Sequence, residues 1–163
     1  MQSATLWRRL LGVEKTVVED VEFEEEAHGA VRMVVRVRPM RGAARRCGQC
    51  GRRSSSYDRG EGRRRWRALD FGEVMVFLEA DAPRVRCRED GVVVAQVPWA
   101  RHGAGHTHAF DQQVAWLATQ CSKTAITQLM RIAWRTVGAI ITRVWDDTAA
   151  EVDFLAGLQR IGI

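Results

Sequence analysis

The chain has 163 residues, 46% of them hydrophobic and six of them Trp, enough apolar material for one ordinary domain or two small ones and too much for a disordered chain. No apolar run nears the roughly 18 residues of a membrane span. Arg8 and Arg9 interrupt the only apolar stretch near the N-terminus, which does not read as a secretory signal. Net charge is +5, and every basic residue except Lys15 and Lys123 is Arg, a bias that suits a phosphate-bearing partner and that codon usage would also produce.

Charge is laid out in blocks. Residues 19–26 carry six acids; residues 41–67 carry ten Arg against Asp58 and Glu61. Residues 122–145 carry Lys123, Arg131, Arg135 and Arg143 with no acid, and 146–153 return to four acids. The first half reads as strand. Val17, Val21 and Phe23 lie in an extended run, and His28-Gly29 forms a turn. Val31, Met33, Val35 and Val37 then alternate with Arg32, Arg36 and Arg38 until Pro39. A further strand pair is expected at Val74–Glu79 and Arg84–Cys87, with a short strand at Val92–Val94. The Gly-rich run 101–107 reads as linker.

From Phe110 the period becomes helical, with apolar faces Phe110/Val114/Leu117/Ala118, Ile126/Leu129/Met130/Ala133 and Val137/Ile140/Ile141/Val144. Three helices are expected near 108–120, 124–131 and 134–147, with a tail helix near 148–159. Trp116 and Trp145 read as core, and so does Cys121 at the end of an apolar helix. The fold class is α+β: a small β-rich, zinc-ribbon-like module over 1–98, a linker over 99–107 and an all-α helix-turn-helix module over 108–163.

Cys47-Gly48-Gln49-Cys50-Gly51 is a knuckle, in which two thiolates two residues apart converge on one tetrahedral metal. After 36 residues, Cys87-Arg88-Glu89-Asp90-Gly91 repeats the spacing with Asp90 in the fourth place. A structural Zn2+ held by Cys47, Cys50, Cys87 and Asp90 is chemically sound. His102, His106, His108 or water are alternatives to Asp90, and a decayed site is the bland alternative. A redox pair fits poorly, because Arg52, Arg53 and three Ser follow where a helix N-terminus would be needed. Zinc would contribute on the order of 10 kcal/mol, and a β module this small is expected to need it.

Ser122 or Thr124 caps a helix that runs to Arg131, Ile132-Ala133 makes a turn, and Trp134 opens the next helix. This is a helix-turn-helix pattern with Arg131 in place of the usual turn Gly; a plain helical hairpin is the alternative. The recognition helix would offer Trp134, Arg135, Thr136 and Ala139 to a major groove, with Arg143 further along facing phosphate. Trp134 would serve equally as core. Lys123 and Thr124 lie where the first helix meets phosphate. In the Arg-rich segment, Arg63, Arg64, Arg65 and Arg67, with Tyr57 and Trp66 interleaved, form a second candidate nucleic-acid surface.

These motifs fall in a familiar order: the Cys-x-x-Cys knuckle, Arg-Arg-Arg-Trp-Arg-Ala-Leu-Asp-Phe-Gly (63–72), Arg-Val-Arg-Cys (84–87), Val-Pro-Trp-Ala-Arg (97–101), Ala-Phe-Asp (109–111), Cys-Ser-Lys-Thr-Ala (121–125) and Trp-Arg-Thr-Val-Gly (134–138). Together they resemble the N-terminal half of transposases of the ISL-three insertion-sequence family. The resemblance implies a zinc-binding module and a helix-turn-helix that bind the terminal inverted repeats of a mobile element. In the family a DDE-type nuclease domain follows a short strand similar to Gln159-Arg160-Ile161-Gly162-Ile163, where this chain stops. No Asp here matches a catalytic position, so the expectation is a non-enzymatic DNA-binding part, cut short by design or by a split or decayed gene. Asp90 departs from the Cys or His common in the family. Double-stranded DNA is the expected partner, in the bacterial cytoplasm at the nucleoid. A homodimer is left open, with no membrane and no small-molecule substrate. The competing readings are a helix-turn-helix transcription regulator, a zinc-ribbon protein-interaction adaptor and a thiol or metal enzyme built on Cys47 and Cys50.

Overall fold

The computed structural model describes residues 2–25 and 29–151. Its elements are α1 (Gln2–Leu10), β1 (Thr16–Glu25), β2 (Val31–Pro39), β3 (Ser55–Asp58), β4 (Arg63–Arg67), β5 (Met75–Asp81), β6 (Arg84–Cys87), β7 (Gly91–Val94), α2 (His108–Gln120), α3 (Lys123–Met130) and α4 (Trp134–Glu151). The chain divides into two compact units between Phe110 and Asp111. No helix among the described residues is long and apolar enough to cross a membrane. The His28 side of the expected turn, the tail helix beyond Glu151 and the run 159–163 lie outside the described residues.

The first unit holds two sheets. One is four-stranded in the order β1-β2-β5-β4, with β2 and β5 parallel; the other is three-stranded in the order β3-β6-β7. In β2, Met33, Val35 and Val37 are buried in a core shared with Val76 and Leu78 of β5 and Trp66 of β4, whereas Val31, expected on the same face, is exposed and Val34, off it, is buried. Trp99 meets Trp66 edge-on at 5.5 Å between centroids. This core also takes in Leu11, Val13, Val97 and Ala100, with Trp7 of α1 packed against it. The β unit therefore has a sizeable core of its own, contrary to the expectation of a module too small to fold without metal.

The expected pairing of Val74–Glu79 with Arg84–Cys87 does not form. β5 pairs with β2 and β4, while β6 pairs with β3 and β7. The Ala82-Pro83 step carries the chain from one sheet to the other, and the Pro83 carbonyl accepts from Ala95 N at 2.8 Å. The parallel pairing of β2 and β5 requires a crossover connection. That crossover contains the first cysteine knuckle, β3 and β4, so half of the ribbon is an insertion within the larger sheet.

Residues 99–107, expected as linker, are folded onto β4. Arg67 N donates to Gly105 O at 2.9 Å, and Thr107 N donates to Arg67 O at 2.9 Å. Trp99, Ala100, Ala104 and Thr107 are buried. The glycines here serve a close strap against a strand edge, not a free tether.

In the second unit the buried side chains are Asp111, Val114, Leu117, Ile126, Met130, Val137 and Ile140. The helices begin and end close to where periodicity puts them. Trp116 and Trp145 are each 58% exposed, which corrects their assignment to the core. At 100° per residue Trp116 is turned about 200° from Val114, and Trp145 about 140° from Ile140. Leu129, also expected to be buried, is exposed beside the buried Met130. Cys121 is exposed in the α2–α3 connection, its thiol donating to Leu117 O at 3.4 Å, and is not a core thiol.

Candidate zinc centre and helix-turn-helix

The first knuckle is tied by backbone. Cys47 N donates to Arg52 O at 2.8 Å, Gly51 N donates to Cys47 O at 3.0 Å, and Gln49 N points at Cys47 Sγ at 3.4 Å. Gly51 takes φ +70°, which a residue with a Cβ rarely adopts. At Gly48 a Cβ would collide with the His102 imidazole and the Val94 carbonyl. Gly48→Ala is therefore expected to loosen the knuckle and to weaken zinc retention in a chelator competition, with the four-stranded sheet unaffected by circular dichroism. The second half-site is the turn of the β6–β7 hairpin, where Cys87 pairs with Gly91 and Asp90 precedes it.

These turns bring Cys47, Cys50, Cys87 and Asp90 together, with one donor atom from each lying within 4.8 Å of every other. Cys50 Sγ and Cys87 Sγ are 3.5 Å apart, and Asp90 Oδ2 is 3.1 Å from Cys47 Sγ and 3.4 Å from Cys87 Sγ. Tetrahedral zinc with bonds of about 2.3 Å to sulfur and 2.1 Å to oxygen needs donors about 3.5–3.8 Å apart, so the cluster fits the metal after a small expansion. His102 packs on Gly48 outside this set, and His106 stacks on Phe110 at 4.9 Å. Asp90 therefore stands in the fourth place that the spacing left open.

The cluster's acid–base character sets what a cation must displace. At Cys50 the Arg52 amide favours the thiolate, but hydrogen bonding to Asp90, desolvation and the other two thiols outweigh it and push the thiol up to about 12. Hydrogen bonds from Cys50, Cys47 and Cys87 hold the Asp90 carboxyl below its ordinary value. Metal-free, the ionised carboxylate accepts hydrogen bonds from the thiols, and a bound zinc would take the place of those protons. A zinc-ribbon domain with a Cys3Asp cluster is a structural zinc site, contributing folding energy with no open coordination position to react.

In the helical unit, Ser122 is the N-cap of α3: its Oγ accepts from Ala125 N at 3.2 Å, while Thr124 sits inside the helix. Arg131 takes the turn position at φ 53°, ψ 48°, the left-handed conformation that the customary Gly would occupy. The first turn of α4 is open to solvent, with Trp134 54% exposed and Arg135 exposed beside half-buried Thr136. Trp134 is thus a surface residue, covered on one side by Lys123, whose Nζ lies 4.4 Å from the ring centroid. Arg143 does not face outward. Its guanidinium grips Asp111 in α2 with two bonds, Nε–Oδ2 at 3.0 Å and Nη2–Oδ1 at 3.1 Å, and the Asp111 side chain is fully buried. An acid-poor segment hid this pair, because the partner lies on another helix.

The four arginines of the Arg-rich segment are committed within the protein. Arg65 bonds Glu24 at 2.6 and 2.9 Å and Glu79 at 2.8 Å, and its guanidinium holds both carboxyls below their ordinary range. Arg63 bonds Glu79 at 3.1 Å. Arg64 donates to Ala104 O at 2.7 Å and lies over Trp66. Arg67 is buried and paired with Asp70 at 2.6 Å. The acidic run of β1 is solvent-exposed and pairs with arginines of the same sheet, including Arg36 and Arg38.

Comparison with known proteins agrees with this division. Residues 43–90 match the zinc-finger of transposases IS204/IS1001/IS1096/IS1165, and residues 95–145 match the helix-turn-helix domain of transposase family ISL3. The transposase for insertion sequence element IS1557 of Mycobacterium tuberculosis, in strains CDC 1551 / Oshkosh and ATCC 25618 / H37Rv, is 61% identical over 165 residues. That match covers 100% of this chain and 37% of each relative, so the chain spans little more than a third of their length. No solved structure matches it significantly. With a zinc-finger and a helix-turn-helix in the family's order, and identity along its whole length, the chain belongs to the ISL3 transposase family, of which it carries these two domains.

Proposed function

We propose that the chain binds double-stranded DNA and recognises the terminal inverted repeats of an insertion sequence, as a non-catalytic part of a transposase. The observation that carries this reading is the first turn of α4. In a helix-turn-helix this turn enters the major groove, and here it exposes Trp134 and Arg135, with Thr136 half-buried, behind a left-handed turn at Arg131. Arg135 has the fork of donors that reads a guanine edge. Lys123, held against Trp134, and Thr124 at the start of α3 lie where phosphate contacts fit. Asp90 with Cys47, Cys50 and Cys87 holds the zinc that orders the ribbon. No bond-making role falls to these residues. The ligand places the protein with the nucleoid in the bacterial cytoplasm, and two inverted ends call for two copies, which sedimentation with and without DNA tests.

Selection from random duplexes with zinc present is expected to return one enriched sequence. Arg135→Ala is expected to weaken binding to it by about tenfold to a hundredfold, roughly 1–3 kcal/mol, and to relax preference at one base pair. Selection that enriches nothing, or an Arg135→Ala variant with unchanged affinity and preference, would overturn sequence recognition by α4. Binding to a protein and not to DNA would favour the adaptor reading.

A further inference from the structure

The arginines of the first unit divide into two populations. On the four-stranded sheet Arg36, Arg38, Arg63, Arg65 and Arg67 pair with carboxylates and Arg64 bonds a carbonyl, as described. On the ribbon, residues 45–62 and 84–94 carry eight Arg against four carboxylates. Arg52 pairs with Glu89 and Arg84 with Asp58, each through a short contact. Among the described residues, none of the ion pairs engages Arg53, Arg86 or Arg88, and all three are exposed.

These three border one feature. A groove of about 640 Å3 is lined by Arg53, Ser54, Ser55, Arg86 and Arg88, by Cys87, and by the Arg52–Glu89 pair, its one carboxylate. β3 and β6 set its floor, with Ser55 opposite Arg86 in the antiparallel register. On the same strand face Tyr57 is 46% exposed and lies under Arg86, 4.9 Å from the guanidinium carbon to the ring centroid. β6 alternates exposed Arg84 and Arg86 with buried Val85 and Cys87. Arg86 and Arg88 thus flank a cysteine of the metal cluster, and the knuckle that orders the cluster also fixes the spacing of the arginines. Guanidinium groups without a carboxylate partner, beside serine hydroxyls, match the anionic oxygens of a phosphodiester backbone.

We infer that the ribbon groove bounded by Arg53, Arg86 and Arg88 is a second DNA contact, one that grips the phosphate backbone without reading sequence. The inference rests on the DNA-binding reading above and moves the ribbon's contact from β4 to the β3–β6 face. It is separable from recognition by α4, because phosphate contacts set salt dependence whereas base contacts set preference.

The test uses the full chain with zinc bound and a mixed-sequence duplex, with affinity measured between about 50 and 200 mM salt. The Arg53→Ala/Arg86→Ala/Arg88→Ala variant is expected to flatten the slope of log affinity against log salt by roughly three, about one per lost contact. The corresponding triple Lys variant is expected to keep most of the slope. Arg38→Ala, which removes an exposed arginine already paired with Glu19, is expected to leave it unchanged. Zinc content and circular dichroism report folding of each variant. A folded triple Ala variant with the parental slope, or an equal flattening by Arg38→Ala, would overturn the inference while leaving α4 recognition standing. Failure of the parent chain to bind any duplex would overturn both.

Discussion

Arg143→Ala is expected to lower the stability of the helical unit by about 1.5–3 kcal/mol, the usual range for losing hydrogen bonds to a charged group. Asp111 is fully buried at its side chain, and Arg143 donates one bond to each of its carboxylate oxygens. Removing the guanidinium takes two charge-assisted bonds from a carboxylate that solvent does not reach. The variant should melt earlier in thermal denaturation, and DNA binding should fall only because folded protein is lost. Asp111→Asn/Arg143→Gln should recover much of the stability, since a neutral amide costs less to bury than a carboxylate. An Arg143→Ala protein that melts with the parent would show that the pair contributes nothing. The result also decides how charge variants on α4 are read: Arg135 reports on DNA, whereas Arg143 reports on folding.

Chelation of zinc, or Cys47→Ser, is expected to unfold the ribbon and to spare the four-stranded sheet. Zinc binding in small structural sites is worth on the order of 10 kcal/mol, and among the described residues β3, β6 and β7 have little apolar core beyond Val85, Ala95 and the buried Cys47 and Cys87. The larger sheet has its own core around Val35, Leu78, Trp66 and Trp99. Hydrogen exchange after chelation should therefore show loss of protection over β3, β6 and β7 and retention over β2 and β5. Simultaneous loss everywhere would mean that the two sheets fold as one. Because the Cys50 thiol is pushed up to about 12 without metal, zinc must displace its proton at neutral pH. Affinity should then rise with pH, by about tenfold per unit for each proton released. Titration in buffers of different ionisation enthalpy counts those protons.

Local periodicity carried much of the fold. The 3.6-residue spacing in α2, α3 and α4 and the alternation in β2 each reflect one buried face, which a sequence displays directly. β4 escaped because its exposed positions and one of its inward positions, Arg64, are all arginine; Trp66 is its only large apolar residue. The strand partners escaped because β5 joins β2 across a long crossover, a choice that no local pattern records. Cysteine spacing pointed to the two turns that meet, but it left the fourth donor open among Asp90, a histidine and water; the fold brings the Asp90 carboxylate among the three thiols. The arginines misled for a physical reason. Their number showed the charge, but whether a guanidinium is spent depends on carboxylates brought from β1 and β5, which lie far away in sequence. Trp116 and Trp145 misled because a large apolar side chain is costly to expose in isolation, yet neither lies on the stripe its helix buries.

The insertion of the first knuckle between the parallel strands β2 and β5 also bears on the order of assembly. Residues 40–74 must be closed into a loop before those two strands can pair. Closure of a long segment is entropically costly, and non-local pairings of this kind slow folding. A metal-bound knuckle within that segment is a cross-link: Cys47 and Cys50 are fastened to Cys87 and Asp90 on the far side of β5. Once the ion has seized both turns, the strands search a much smaller volume for each other. The ion thus acts as a chaperone of topology for a sheet that, once formed, does not contact it.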